Sequence, residues 1–147
     1  MVLCIESATS VCSVALAENE KIISFREVNE GFSHAEKLTV FISEILDEVG
    51  IKVNDLDAIA VSHGPGSYTG LRIGVSVAKG LCLAINKPLI SISTLEAMAA
   101  GVINVINAGN NNILFCPMID PRRMEFYCGL YDLQINCLHP SSAIVVT

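Results

Sequence analysis

Residues 57–74 read DAIAVSHGPGSYTGLRIG, a stretch in which a strand, a loop and a helix follow one another directly. The apolar run at 57–62 has the length of a buried strand, and the glycines and proline after it are typical of a loop. Residues 71–85 are mostly apolar over a helical length, and Asn86 and Pro88 end the helix. A buried strand that leads through a short loop into a helix predicts a crossover unit of an α/β fold.

The segments on either side of this stretch complete a characteristic order of elements. Polar residues at 18–20 separate two alternating runs, which predicts a hairpin loop. Ser33-x-x-Glu36 and Ser93-x-x-Glu96 match the capping box that begins a helix. The predicted elements are strands at 2–6, 12–17 and 21–28, a helix at 33–50, a strand at 57–62, a helix at 71–85, a strand at 89–92 and a helix at 93–100. This β-β-β-α-β-α-β-α order predicts a ribonuclease-H-like α/β fold, a mixed sheet with flanking helices.

The pattern is looser after residue 100. Asparagines and a glycine at 104–112 indicate a loop. The strands predicted here are 113–119 and 125–131, and residues 143–147 resemble the middle of a third strand. We therefore expect a first subdomain at 1–100 and a partial, incomplete second subdomain at 101–147. Two interpretations of the 147-residue length are open at this point, a natural length and the remainder of a longer chain.

The composition excludes several classes of protein. The chain has 15 acidic and 9 basic side chains, a formal net charge of −6, and 52% apolar residues. So much apolar side chain excludes a disordered chain, and the acidic balance argues against a stand-alone nucleic-acid binder, which needs a clustered basic surface. No uninterrupted apolar run approaches the roughly 18 residues of a membrane span, because Arg72 and Lys79 interrupt the 71–85 segment. The six cysteines lie in apolar segments without a C-x-x-C pair, which favours free thiols and a cytoplasmic location.

The glycine-rich loop is the first candidate site. Glycines permit positive φ angles and a close approach of the backbone to a ligand, and the helix start that follows offers free N–H groups to an anion. The motif lacks the Gly-Lys-Ser/Thr ending of a P-loop and the spacing of a dinucleotide fingerprint. A structural turn and a contact with phosphate or with a partner are therefore both open interpretations. The candidate residues are Gly64, Gly66, Ser67, Tyr68, Thr69, Gly70 and Arg72.

Six short segments within residues 1–132 are more specific than this general pattern. They are GPGSYTGLRIG at 64–74, IESATSVCSVAL at 5–16, Ser33-His34, DLDAI at 55–59, STLEA at 93–97 and IDPRRMEFY at 119–127. Together they resemble the TsaB, or YeaZ, family, a paralogue of TsaD in the glycoprotease-like (peptidase M22-like) superfamily. The resemblance implies the fold of the actin, Hsp70 and sugar-kinase superfamily. Glu6 departs from the pattern, because members usually have Asp there.

The resemblance also implies a function. TsaB proteins act in forming threonylcarbamoyladenosine at position 37 of tRNAs that read ANN codons, with the catalytic paralogue TsaD and the ATPase TsaE. This chain would then be a non-catalytic scaffold that forms a heterodimer with TsaD and meets tRNA only through the complex. ATP or ADP is expected only at the interface with TsaD, and no cofactor, resident metal, catalytic residue or membrane contact of its own is expected.

An enzyme of the same fold is the alternative hypothesis. TsaD carries two histidines on one helix where this chain has Thr94 and Met98, and neither of these side chains replaces an imidazole as a ligand. The three histidines of the chain lack further donors at a readable spacing, and a two-metal nuclease needs more carboxylates than Glu6 supplies. The alternative is a metal- or nucleotide-dependent enzyme, either a glycoprotease-like hydrolase or a small-molecule kinase.

The 71–85 segment is apolar on nearly every side of a helical wheel. Such a helix is buried on more than one side, so one side covers the sheet and another meets either a partner or the helix at 33–50. The resemblance favours a partner, because TsaB and TsaD pair through the helices of this half. Without TsaD the same surface would form a homodimer. The candidate interface residues are Val75, Lys79 and Cys82.

Overall fold

The computed structural model describes residues 1–29, 34–103, 105, 113–120 and 125–145. In chain order the elements are β1 (Val2–Glu6), β2 (Cys12–Glu18), β3 (Lys21–Val28), α1 (His34–Val49), a 3-10 helix (Val53–Asp55), β4 (Ala58–Gly64), α2 (Tyr68–Ile85), β5 (Leu89–Ser93), α3 (Thr94–Ile103), β6 (Met118–Ile119), β7 (Glu125–Tyr131) and β8 (Cys137–Val145). The predicted α/β class and the order of elements through α3 are confirmed. Backbone contacts divide the chain into two units, Met1–His63 with Ser67–Ile92, and Gly64–Gly66 with Ser93–Thr147.

The first unit is built on a five-stranded sheet in the order β3-β2-β1-β4-β5. β1 pairs antiparallel with β2, where Leu3 is opposite Leu16, and parallel with β4, where Ile5 lies beside Val61. Alternate residues of β1 and β2 are buried, which is the period-2 burial of a sheet that is covered on one face. The mixed sheet that the sequence predicted is therefore present.

Helices α1 and α2 pack against one hydrophobic core. α1 contacts β2 and β3, and α2 contacts α1 and β1. The buried core side chains include Leu3, Ile5, Val14, Leu16, Leu38, Ile42, Ile45, Ile59, Val61 and Ala78. The apolar periodicity of α1 thus identified a helix that covers the sheet.

α2 is longer than the sequence predicted, because it begins at Tyr68 and not at residue 71. Its buried positions are four small residues spaced by four, Gly70, Gly74, Ala78 and Cys82. Among the described helices, α2 is long and apolar enough to cross a membrane. The core helix of a globular domain meets the same two criteria. A helix whose small residues all face inward lies close to the strands beneath it.

The second unit has a three-stranded sheet, β6-β7-β8, and the helix α3. The strand predicted at 113–119 is wrong in extent, because only β6 and an isolated bridge between Phe115 and Tyr131 are formed. Pro117 lies between them and has no backbone N–H to donate to a ladder. β8 runs from Cys137 to Val145, so residues 143–145 continue a strand that begins before them, as predicted, and its Pro140 lies on a strand at the edge of the sheet, where proline is tolerated.

Several predictions lie on residues that the structure does not describe. These are the cap at Ser33, the side chain of His34, the loop at 106–112 and residues 121–124. The second capping box predicts a helix that begins at residue 93, and α3 begins one residue later, at Thr94. α3 continues to Ile103, past the predicted end at residue 100.

Candidate functional site

Ser67 joins the end of the glycine-rich loop to the turn after β1. Its backbone N–H donates to the Ala8 carbonyl at 2.6 Å, and its Oγ accepts from the Gly70 N–H at 3.3 Å. Its carbonyl accepts from the Leu71 N–H at 2.9 Å. Ser67 is therefore the N-cap residue of α2, and its side chain satisfies one of the N–H groups that an anion could otherwise use.

Gly70 and Gly74 allow α2 to approach Ser7, the residue that follows β1. A Cβ added at Gly70 would lie 2.1 Å from the Ser7 carbonyl oxygen, and one at Gly74 would lie 2.2 Å from Ser7 Oγ. Ser7 is fully buried, and its hydroxyl donates to the Gly70 carbonyl at 2.9 Å. Close packing of helix on strand therefore explains both glycines. The sequence signal for this contact is the small residue at every fourth position of the helix, Gly70, Gly74, Ala78 and Cys82.

The other loop residues differ in exposure. Gly64 ends β4 with a φ of 116°, a region that favours glycine, and Gly66 is half-buried. Tyr68 and Thr69 are exposed, and the Arg72 guanidinium lies 4.5 Å from the centroid of the Tyr68 ring. This cation–π pair and the exposed Thr69 are accessible to solvent.

Glu6 connects the ends of β1 and β4. One carboxylate oxygen accepts from the Ala8 N–H at 2.6 Å, and the other accepts from the Ser62 hydroxyl. A nuclease would place a second carboxylate beside Glu6, and Ser62 occupies that position. The Glu6 carboxylate therefore fixes the turn on which Ser7 and Ala8 lie.

A groove of about 260 Å³ lies between α1 and α2. Its lining residues are Thr39, Ile42, Ser43, Leu46, Val53, Val77 and Leu81. The two helices also contact each other, so α1 covers part of the apolar surface of α2 within the same unit. Both interpretations of the apolar helix therefore stay open. Its contact with α1 agrees with the intramolecular one, and the open groove beside that contact agrees with the partner one.

The three candidate interface residues occupy different environments. Lys79 is exposed, whereas Val75 is half-buried and packs against the core. Cys82 is buried, its thiol donates to the Pro88 carbonyl at 3.5 Å, and burial raises the pKa of that thiol. Leu83, which is not one of the candidate interface residues, is 86% exposed. The outward surface of α2 therefore includes Lys79 and Leu83, and Cys82 faces inward.

The histidines and the Thr94 position show no metal-binding geometry within the described residues. No group of three or more His, Cys, Asp or Glu side chains converges in that part of the chain. His63 Nδ1 lies 3.0 Å from Ser91 Oγ, and His139 Nδ1 lies 3.0 Å from the Pro140 carbonyl oxygen. Thr94 is buried at the start of α3, and its Oγ1 has no hydrogen-bond partner there. The Ser91–His63 contact is a pair that sequence spacing could not reveal.

Comparison with known proteins identifies the family. The family model described as "TsaD: tRNA N6-adenosine threonylcarbamoyltransferase" matches residues 31–143. The Escherichia coli (strain K12) protein named "tRNA threonylcarbamoyladenosine biosynthesis protein TsaB" is 35% identical over 135 residues, which are 92% of this chain and 56% of that protein. The solved structure of YeaZ from Pseudomonas aeruginosa has a TM-score of 0.84 at 31% identity and covers 99% of this chain and 66% of that one. A putative N-acetylglucosamine kinase from Porphyromonas gingivalis shares the fold, with a TM-score of 0.50 at 16% identity over 97% of this chain and 47% of that one.

The sheet, its helices and these likenesses define a ribonuclease-H-like domain of the class that includes actin-like sugar kinases. Within that class, the chain belongs to the TsaB (YeaZ) family, a paralogue of TsaD. The predicted resemblance is confirmed. The chain spans 56% of the length of the E. coli relative.

Proposed function

We propose that this chain is a non-catalytic scaffold that pairs with TsaD in forming threonylcarbamoyladenosine at position 37 of ANN-decoding tRNAs. The observation that carries the proposal is the α1–α2 surface, with its apolar groove, in a chain of the TsaB family. The name of the E. coli relative supports the pathway. An apolar groove between two helices is a common docking site for a helix of a partner.

The chemistry of the α1–α2 surface fits a helical partner. The floor of the groove is apolar, with Ile42, Leu46, Val77 and Leu81, and nothing would meet a Cβ added at Gly80 on α2. Small residues on a helix let the backbone of a partner helix approach closely.

The charge of the chain supports an indirect role in tRNA binding. With 9 basic against 15 acidic side chains, this chain does not supply the basic surface that tRNA phosphates require. The tRNA is therefore held by TsaD, and ATP or ADP binds only where this chain meets TsaD. TsaE joins the same complex in the cytoplasm. In the absence of TsaD, two copies pair through the same α1–α2 surface as an isologous homodimer.

Ser43→Glu tests this surface without disturbing the core, because Ser43 lines the groove and is exposed. Val75→Glu and Cys82→Glu are less suitable, because Val75 packs against the core and Cys82 is buried. A charge placed in an apolar interface is expected to weaken TsaD binding at least about tenfold, or about 1.4 kcal/mol. The measurement is the dissociation constant for TsaD by calorimetry, with Thr39→Glu, at another exposed residue that lines the groove, as a second variant of the same surface.

Ile22→Glu is the matched control, because Ile22 is an apolar β3 side chain that is 68% exposed. It should bind TsaD as the unmodified chain does. Full affinity in both Ser43→Glu and Thr39→Glu would contradict the proposed surface. Titration of the isolated chain with zinc, magnesium and ATP addresses the alternative hypothesis, since tight binding with turnover would favour an enzyme.

A further inference from the structure

Cys116 and Cys128 lie on neighbouring segments of the three-stranded sheet. Met118 is opposite Cys128, and Phe115 is opposite Tyr131, so one register runs through residues 115–119. Cys116 precedes Met118 by two residues and therefore lies on the same face of the sheet as Met118 and its partner Cys128. The two cysteines are diagonal neighbours, at which distance side chains reach each other.

The two thiols differ in access to solvent. Cys116 is exposed, and Cys128 is 8% exposed. Partial burial raises the pKa of the Cys116 thiol, and the adjacent Cys128 thiol, which hydrogen-bonds with it, adds to the shift. The Cys116 thiol is therefore open to a reagent, and the Cys128 thiol lies beside it on the neighbouring strand.

We propose that Cys116 and Cys128 form a thiol oxidation site, at which a small disulfide such as oxidised glutathione converts the two thiols into one intramolecular disulfide. The Cys116 thiolate attacks one glutathione sulfur, forms a mixed disulfide and releases a glutathione thiolate. The Cys128 thiolate then attacks the Cys116 sulfur, closes the bond and releases the second glutathione thiolate. Both protein thiols are oxidised, and the released thiolates take up the two protons to give two glutathione molecules.

The backbone at Cys116 is free to make the small movement that closure needs. Diagonal neighbours lie about 7–8 Å apart, and a disulfide prefers Cα atoms within about 6.8 Å. Phe115 and Tyr131 exchange both backbone hydrogen bonds, at 2.8 and 2.9 Å. In an antiparallel pair such hydrogen-bonded positions alternate with positions that are not hydrogen-bonded, so Cys116, the next residue, makes no backbone hydrogen bond to β7. Pro117, the next residue, has no N–H to bond to β7.

The experiment exposes the reduced chain to oxidised glutathione and follows its intact mass and its disulfide-linked peptides. The unmodified chain should lose two hydrogen atoms and yield one linked pair of peptides, which contain Cys116 and Cys128. Cys128→Ser should accumulate the mixed disulfide on Cys116, because the second thiol is missing. In Cys116→Ser, the Cys128 thiol should form a mixed disulfide at least about tenfold more slowly than Cys116 does in the unmodified chain, because Cys128 is buried.

Cys137→Ser is the matched control, because Cys137 is also exposed but pairs with Tyr131, which packs in the cluster of Leu95 and Phe115. This variant should close the same disulfide as the unmodified chain. A linked peptide that contains Cys137, or a stable mixed disulfide on Cys116 of the unmodified chain, would overturn the proposal. Peptide mapping of the unmodified chain decides between these outcomes even where a variant folds poorly.

Discussion

Replacing Gly74 or Gly80 by alanine adds the same methyl group to the same helix, α2, in two different surroundings. At Gly80 nothing lies within 4 Å of the added Cβ, so the gain in helix propensity is retained. We expect Gly80→Ala to raise the free energy of unfolding by about 1 kcal/mol. At Gly74 the added Cβ would lie 2.2 Å from Ser7 Oγ and 3.2 Å from Ser7 Cβ, so the same gain is opposed by a steric overlap.

The cost at Gly74 has two sources. Overpacking of a tight contact costs about 1–3 kcal/mol. If the Ser7 hydroxyl rotates away, it loses its bond to the Gly70 carbonyl, and a buried hydroxyl without a partner costs about 1–3 kcal/mol. We therefore expect Gly74→Ala to lower the free energy of unfolding by about 1–3 kcal/mol after the helix gain. Urea unfolding followed by circular dichroism measures both variants against the unmodified chain.

Ser7→Ala separates the overlap from other effects of the methyl group. Removing Oγ leaves Cβ at 3.2 Å and Ile5 Cγ2 at 3.6 Å as the nearest atoms to the added Cβ. Gly74→Ala should then cost at least about 1 kcal/mol less in the Ser7→Ala background than alone. An equal cost in both backgrounds, or a Gly74→Ala variant as stable as Gly80→Ala, would refute the packing argument.

Three further predictions concern single residues. Thr94→Val should raise the free energy of unfolding, measured by urea unfolding, by about 1 kcal/mol, because it removes a buried hydroxyl that has no hydrogen-bond partner in the described chain. A loss of stability would contradict this and would indicate that the hydroxyl has a partner. Glu20→Gly should raise the thermal midpoint and add about 1 kcal/mol, because Asn19 and Glu20 turn the β2–β3 hairpin at φ of 48° and 65°, where Asn-Gly is preferred. The pKa of Asp132 is lowered mainly by the Asn136 side chain, so its stabilisation is present above the ordinary carboxyl range near pH 4 and lost as pH falls through the lowered value. The Asp132→Asn variant should lose less stability than the unmodified chain in urea titrations repeated from about pH 6 to about pH 3, and parallel curves would contradict this.

Elements that depend on local pattern could be predicted from the sequence. β1, β2 and β3 agree with the predicted strands to within one residue, because the periodicity and the polar turn at 18–20 are both local signals. The predicted start of α2 at residue 71 is wrong by three residues, since the helix begins at Tyr68. Ser67 caps α2 through a geometry that the loop composition alone does not specify. Pro117 shortened a strand that apolar content alone had predicted.

The candidate site was harder to predict, because its contacts join distant parts of the chain. Ser7 and Gly70 are 63 positions apart, and no local pattern indicates that their backbones meet. The Glu6–Ser62 hydrogen bond spans 56 positions in the same way. The family resemblance included Glu6, Ser7 and Gly70 but not Ser62, and only the structure showed which of these residues contact each other.

The glycine motif and the proposed docking surface are different contacts of one helix. Gly70 and Gly74 meet Ser7, whereas Val77 and Leu81 line the groove beside α1. A change at Gly70 should therefore weaken TsaD binding only through lost stability, while Ser43→Glu should weaken it with the fold intact. If Gly70→Ala instead kept its stability and lost TsaD, the motif itself would contact the partner, and the exposed Tyr68 and Arg72 would be the residues to examine.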